Sequence, residues 1–301
     1  MKRLVTSLAG LLLVLVPLAA SAGQVLQQVQ QTGVIRAGVR KDAIPFGFID
    51  AQGKWQGYSL DVLELIRVEA ERQLNRPVRL ELVEVTPATR FKQVADGSLD
   101  IECGTSTFTW DREKLVDFTL RYFGNGTQLL VRRNSGLGSI PSLVGKRVGV
   151  VPGTTNAAVL RTLQPAAQFV AVVDRLEGFR KLQAGQIDAF ASDGITLEGL
   201  KHQARDPQTW AVVPEAPYVL EGYACTVPED ESQWRDLVNR TLAQMMQGVV
   251  MGDPAAISLI DRWFGPKGIA PYPRDQISDY FQATLSTLEW LPTLPLPQGK
   301  R

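Results

Sequence analysis

Apolar and polar positions alternate along this chain in blocks that switch repeatedly between a two-residue and a helical period. Residues 34–39 form an apolar run with strand character, and Arg40 stands at its carboxyl end. Pro45, Phe46 and Phe48 make a short extended piece. Asp50, Ala51, Gln52 and Gly53 then give hairpin-turn chemistry before Trp55, Gly57 and Tyr58. Ser59 is placed to cap a long helix in which Leu63, Ile66, Ala70 and Leu74 recur at helical spacing, and Pro77 ends it. Val78, Leu80 and Leu82 alternate as a strand, and Arg90 follows in the next connection. Phe91, Val94 and Ala95 give a short helical face stopped at Gly97. Residues 99–103 read as a buried strand that delivers the hydroxyl-rich stretch Gly104, Thr105, Ser106, Thr107. Arg112 comes just inside the next helical turn.

A strand at 128–131 leads into a polar, Gly-containing segment, 132–138, and then the pattern restarts. Residues 147–151 are a strand, Pro152, Gly153, Thr154 and Thr155 a turn, and Leu160 and Leu163 mark a helix. A strand at 169–172, a helix around 179–182 closed by Gly185, and a strand at 189–191 follow. That last strand ends at Ser192 and Asp193, before a helix carrying Leu197 and Leu200. Residues 91–100 (FKQVADGSLD) and 179–188 (FRKLQAGQID) share the order helix, Gly, strand, polar loop. This reads as duplication of an α/β unit, with chance similarity as the competing account for so short a match. A strand-like return at 223–227 and helices around 234–246 and 255–264 complete the pattern, and 292–297 is a Pro-rich tail.

Alternating strand and helix blocks predict an α/β fold with mostly parallel sheets. Ligands of such sheets bind outside the carboxyl ends of the strands. The hydroxyls of 105–107 and the guanidinium of Arg112 meet at such an end, a combination suited to a carboxylate. The alternative for the same residues is a strand, a polar loop and a surface arginine. For Arg40 and Arg90 it is pairing with acidic neighbours such as Glu81 or Glu84.

Composition narrows the class. Lys2 and Arg3, an apolar run at 4–18 and the small residues Ala20, Ser21 and Ala22 read as a cleaved export signal, residues 1–22. Its removal takes the formal charge from +1 to about −1. Such a balance gives no general attraction to nucleic acid or to an anionic membrane. The product is expected to be soluble and periplasmic. Cys103 and Cys225 are the two cysteines. In an exported protein an isolated pair is most simply a disulfide, the alternative being two buried thiols. A bond between them would bring the chain back into its first lobe. That gives a discontinuous lobe 1 (23–131 and 223–291), a continuous lobe 2 (132–222), a hinge of two crossovers and a tail at 292–301. His202, the single histidine, lies on a charged helix face, and no nucleophilic triad, metal-ligand spacing or phosphate loop is present in the sequence.

The residues GVR at 38–40, WQGYS at 55–59, ADGSLDIECGTST at 95–107, DREK at 111–114, LVGKRVGV at 143–150, GTT at 153–155 and DRWF at 261–264 together resemble one family. It is the periplasmic polar amino-acid-binding proteins of ABC importers, solute-binding protein family 3, and the chain is most similar to the glutamate/aspartate-binding branch. The resemblance implies a type II periplasmic-binding-protein fold, two lobes closing over one amino acid, and delivery of that ligand by a monomer to a membrane permease, without a cofactor. By similarity Arg112, Thr105 and Thr107 take the α-carboxylate, with Thr154 and Thr155 from the second lobe, and Asp193 takes the α-ammonium. Arg40 and Arg90 match the arginines that the acidic branch uses on the ligand's side-chain carboxylate. Arg175 stands near the position where that branch has a His, a departure from the pattern. A dehydratase on the same fold, with Glu102 or Asp111 as acid, and a ligand-sensing module are the alternative functions.

Overall fold

The computed structural model describes residues 23–288; the export segment and the Pro-rich tail lie outside the described residues. Helix α1 (Gln24–Thr32) is closed by Gly33 in the left-handed region and leads into β1 (Val34–Val39). Strands β2 (Asp42–Ala43), β3 (Gly47–Ile49) and β4 (Trp55–Gln56) form a small antiparallel sheet. Its hairpin turn is fixed by Asp50, whose carboxylate accepts the backbone N–H of Gln52 and of Lys54. Helix α2 (Tyr58–Leu74), β5 (Arg79–Glu84), α3 (Arg90–Ala95), β6 (Ile101–Thr107) and the single turn α4 (Trp110–Glu113) follow. The next strand, β7 (Asp117–Arg132), is 16 residues long.

The second α/β series is β8 (Arg147–Val150), α5 (Thr155–Leu163), β9 (Gln168–Ala171), α6 (Arg175–Gln183), β10 (Ala189–Asp193), α7 (Gly194–His202) and β11 (Trp210–Val213). Strand β12 (Leu220–Val227) and helices α8 (Ser232–Val250), α9 (Pro254–Phe264) and α10 (Arg274–Leu285) end the described chain. The main sheet runs β5-β1-β6-β12-β7-β10-β8-β9, with β11 also on β7. Strand β7 joins the two halves. Up to Gly126 it pairs antiparallel with β12, and from Thr127 onward with β10 and then β11. The handover between halves therefore falls inside a strand, upstream of the polar segment 132–138.

Two main clusters make up the core: a large one that runs from the first half into the second through Phe179, Leu182, Phe190 and Leu200, and a smaller one within the second half. In the first, Phe46 lies at the centre of an aromatic group, its ring centroid 5.2 Å from Phe123, 5.4 Å from Tyr223 and 6.0 Å from Tyr58. In the second, Leu129, Val131, Val148, Val150 and Leu160 are buried together. Phe46, Phe48 and Tyr58 are core residues. Cys103 and Cys225 face each other in the β6–β12 pairing and form a disulfide.

Three local expectations change. The stretch 104–107 is the second half of β6, because β12 pairs with it out to Thr107. The residues 128–131 are only the end of a much longer strand. Gly57, not Ser59, sits at the N-cap of α2, and Ser59 is buried, hydrogen-bonded to the Tyr122 hydroxyl at 2.8 Å.

The two units with the shared pattern make the same contact. Asp100 accepts the Arg36 backbone N–H at 2.7 Å and pairs with its guanidinium. Asp188 accepts the Arg147 backbone N–H at 2.8 Å and pairs with its guanidinium at 2.7 Å. In both units the Asp two residues after the Gly–polar pair fixes the start of the neighbouring parallel strand.

Candidate binding cleft between the two halves

The carboxyl ends of β1, β6 and β10 and the N-termini of α5 and α6 point at one place between the halves. Arg175 is the first residue of α6, started by Asp174, whose side chain caps the helix by accepting the Glu177 N–H. The capped turn aims Arg175 inward, and its guanidinium is buried. Nη2 donates to Asp193 Oδ2 at 2.9 Å and to the Thr105 hydroxyl at 3.1 Å, and Nε donates to Ser192 Oγ at 2.8 Å. Asp193 also accepts from Asn156 Nδ2 at 3.3 Å. Arg40 follows β1, and its guanidinium grips both oxygens of Asp42 at 2.8 and 2.6 Å. Asp42, not Glu81 or Glu84, is its acidic neighbour. The same Asp42 accepts the backbone N–H of Arg175 at 3.0 Å, a contact that crosses between the halves.

Arg90, the first residue of α3, is fully enclosed. Its nearest carboxylate oxygen is Glu102 Oε1 at 3.9 Å, too far for a hydrogen bond. The Nε and Nη1 groups of Arg90, the Nη1 group of Arg175 and Glu102 Oε1 are buried without a hydrogen-bond partner. Glu102 Oε2 is held by the Ser106 hydroxyl at 2.6 Å. The guanidiniums of Arg90 and Arg112 lie over the Phe91 ring, 4.6 and 4.9 Å from its centroid. Arg112 also crosses between the halves, donating to the Thr107 carbonyl at 2.7 Å and to the Gly153 carbonyl at 3.1 Å.

The threonines divide by task. Thr154 caps α5, accepting the Ala157 N–H and donating to the Val151 carbonyl at 2.7 Å. The Thr155 and Thr107 hydroxyls both donate to Glu221 Oε2, at 2.5 and 2.7 Å, and Thr127 donates to Oε1 at 3.0 Å. Thus Arg40, Arg90, Thr105, Thr107, Arg112, Thr155, Arg175 and Asp193 are gathered in the cleft, and Thr154 supports it from the helix cap.

Electrostatics follow burial and pairing. Burial pushes the Arg90 guanidinium down to about 9, with Glu102 opposing, and burial also lowers Arg40 and Arg112. For Arg175 burial acts against the charge, yet Asp42 and Asp193 outweigh it and the net shift is upward. Burial opposes ionisation of Asp42, but Arg40 and Arg175 hold it well below the usual carboxylate range. Glu221 is raised, first by burial and then by the charge of Asp193.

Asp42, Glu102 and Glu221 complete this site; of the three, the sequence offers only Glu102, as a possible acid of the alternative dehydratase. One signal was available: Asp100 and Glu102 interrupt an apolar strand, and charge inside a buried strand marks a site. Asp42 and Glu221 give no periodic signal, because one pairs across two residues of extended backbone and the other lies in the first residues of β12, ahead of the pattern that starts at Tyr223. Among the described residues, no group of His, Cys, Asp and Glu is arranged to hold a metal ion, and no helix is long and apolar enough to cross a membrane.

Two α/β halves joined through β7 and β12, with charged groups of both facing a shared cleft, define a two-lobed binding protein for small polar solutes. The chain belongs to the bacterial extracellular solute-binding proteins, family 3, whose model matches residues 35–266. It is 31% identical over 251 residues to the glutamate/aspartate import solute-binding protein of Salmonella typhimurium, covering 82% of this chain and 81% of that protein. It is 32% identical over 257 residues to the L-glutamate/L-aspartate-binding protein of Pseudomonas aeruginosa, covering 81% and 82%. Among solved structures, the P235GK mutant of the arginine-binding protein from T. maritima matches with a TM-score of 0.69 at 24% identity, covering 80% of this chain and 99% of that one. The fold is that of the type II periplasmic amino-acid-binding proteins.

Proposed function

We propose that the mature chain is a periplasmic receptor that holds one amino acid, glutamate or aspartate, between the two halves and presents it to the permease subunits of an ABC importer. One observation carries this reading. Arg90 is buried with two N–H groups lacking partners, beside an Arg175 N–H in the same state. Orphaned charged donors are costly, and a carboxylate brought by a ligand satisfies them through charge-assisted hydrogen bonds.

In this reading Arg112, Thr105, Thr107 and Thr155 take the α-carboxylate, with Thr154 holding the N-terminus of α5 in place. Asp193 takes the α-ammonium, and Arg40, Arg90 and Arg175 face the ligand's side chain. The names of the Salmonella and Pseudomonas relatives agree with this ligand class. A ligand touching both halves favours the closed arrangement, with bending at β7 near Gly126 and at the segment before β12. The chain then acts as a monomeric binder without cofactor or catalytic residue.

The test is a thermal-shift screen of the protein from Gly23, stripped of ligand by unfolding and refolding, with all common amino acids. A ligand at a thousand times its dissociation constant stabilises by about 4 kcal/mol. A shift with glutamate or aspartate that Arg112→Ala abolishes supports the reading. No shift with any amino acid overturns it.

A further inference from the structure

Arg40 does not offer the cleft a free guanidinium. Its Nε and Nη2 are spent on the two oxygens of Asp42, and Asp42 also takes the backbone N–H that opens α6 at Arg175. Both side chains are 3% exposed. A bidentate carboxylate on Arg40, touching Arg175, is the position the proposed function reserves for a ligand's side-chain carboxylate. The protein fills it from within.

What remains without a hydrogen bond has mixed character, with Arg175 Nη1 3.7 Å from Asp42 Oδ1. Arg90 Nε and Nη1 and Arg175 Nη1 are donors, whereas Glu102 Oε1, 3.9 Å from Arg90 Nη1, is an acceptor. A carboxylate supplies acceptors alone. It would satisfy the arginines, leave Glu102 Oε1 bare and set two negative charges side by side. A carboxamide supplies an oxygen to Arg90 and an N–H₂ to Glu102. The groups agree in number: four arginines, Arg40, Arg90, Arg112 and Arg175, share the region with four carboxyl groups, Asp42, Glu102, Asp193 and Glu221, although Glu221 is raised and Arg112 donates to carbonyls. A zwitterion with a neutral side chain leaves that balance intact, and an anionic side chain leaves one buried charge over.

We propose that Asp42 is a specificity-determining residue, which by occupying Arg40 and the start of α6 suppresses the preference for a side-chain carboxylate and admits the carboxamide of the same length. The inference rests on the amino-acid-receptor reading of the cleft and specifies its ligand class.

Isothermal titration of the stripped protein with glutamate and with glutamine tests it, in wild type, Asp42→Asn and Asp42→Ser. In wild type the two affinities are expected within about tenfold of each other, and both variants should move the ratio toward glutamate by about tenfold or more. Movement of the ratio, not loss of affinity, is the readout, because a purely structural role for Asp42 would weaken both ligands alike. An unmoved ratio, or movement toward glutamine, overturns the role of Asp42 while leaving the receptor reading in place. Should circular dichroism show both variants unfolded, the wild-type ratio decides, and a preference for glutamate beyond about tenfold overturns the proposal. If glutamate, glutamine, aspartate and asparagine all give no heat with wild type, the receptor reading falls and the inference with it.

Discussion

Glu221 and Thr155 meet at 2.5 Å across the gap between the two halves of the structure. The Glu221 carboxylate stands on β12, a joining strand, and it also accepts from Thr107 of the first half and Thr127 of β7. A single buried carboxyl group thereby ties both halves to the strands that connect them.

Glu221 is raised by burial and by Asp193, so the folded protein holds its proton more tightly than the unfolded chain does. The corresponding stability is present below the ordinary glutamate value and is lost as pH rises through the raised one. Glu221→Gln has no such group. The difference in melting temperature, wild type minus Glu221→Gln, should therefore fall as pH rises from roughly 4 to 7. A difference that stays flat or grows over that window contradicts the assignment.

The Cys103–Cys225 disulfide closes a separation of 122 residues and links β6 to β12. In the chain-entropy account a loop of this length contributes about 4–5 kcal/mol. The double variant Cys103→Ala, Cys225→Ala should lose roughly that much in urea unfolding of the ligand-free protein, and a loss below about 1 kcal/mol would rule out the entropic account here.

Much of this was readable in the chain itself. The repeated pattern around Phe91 and Phe179 announced two like units, and Asp100 and Asp188 do close the same contact in each. The sequence puts Arg40 and Asp193 at strand ends, Arg112 at a helix start and Arg90 in a connection, and offers Arg175 through the resemblance alone; the structure brings all five together. The charge partners were not readable. Asp42 and Glu221 act through contacts between segments distant in sequence, Arg175 at the start of α6 and Thr155 at the start of α5, and periodicity carries no information about which segments meet. Strand β7 was underestimated because Gly124 and Gly126 interrupt its apolar pattern. Both glycines lie where the chain is crowded: a Cβ on Gly126 would stand 2.0 Å from the Val219 carbonyl oxygen, so the strand continues through residues that look like a break.

Gly57 offers a sharp test of the core. It caps α2 at φ 142°, and an added Cβ would lie 2.0 Å from the Phe46 carbonyl oxygen, a backbone atom that cannot swing aside. Phe46 is fully buried in the aromatic group of the first half. Gly57→Ala should cost more than about 2 kcal/mol in chemical unfolding. Gly53, at φ 76° in the hairpin turn with open space around it, is the control. There Gly→Ala meets only the left-handed backbone penalty, about 1 kcal/mol. Equal losses at the two positions would show that the contact with Phe46 is not the cause.

Arg90 and Glu102 set binding against stability. Neither is satisfied by the other at 3.9 Å, and burial depresses the arginine to about 9. Arg90→Met removes two orphaned N–H groups but takes from buried Glu102 its nearest positive neighbour, leaving only the more distant Arg40 and Arg112, and such a variant should lose about 3 kcal/mol. Adding Glu102→Gln removes that charge as well. The double variant should recover to within about 1 kcal/mol of wild type or exceed it, since replacing a poorly paired buried ion pair is often neutral or stabilising. Its affinity for the amino-acid ligand should still fall tenfold or more, because the donors that the ligand would satisfy are gone. Urea unfolding of the three ligand-free proteins and titration with ligand separate the two effects. A double variant that regains stability and keeps wild-type affinity would show that the unpaired groups of Arg90 do not serve the ligand.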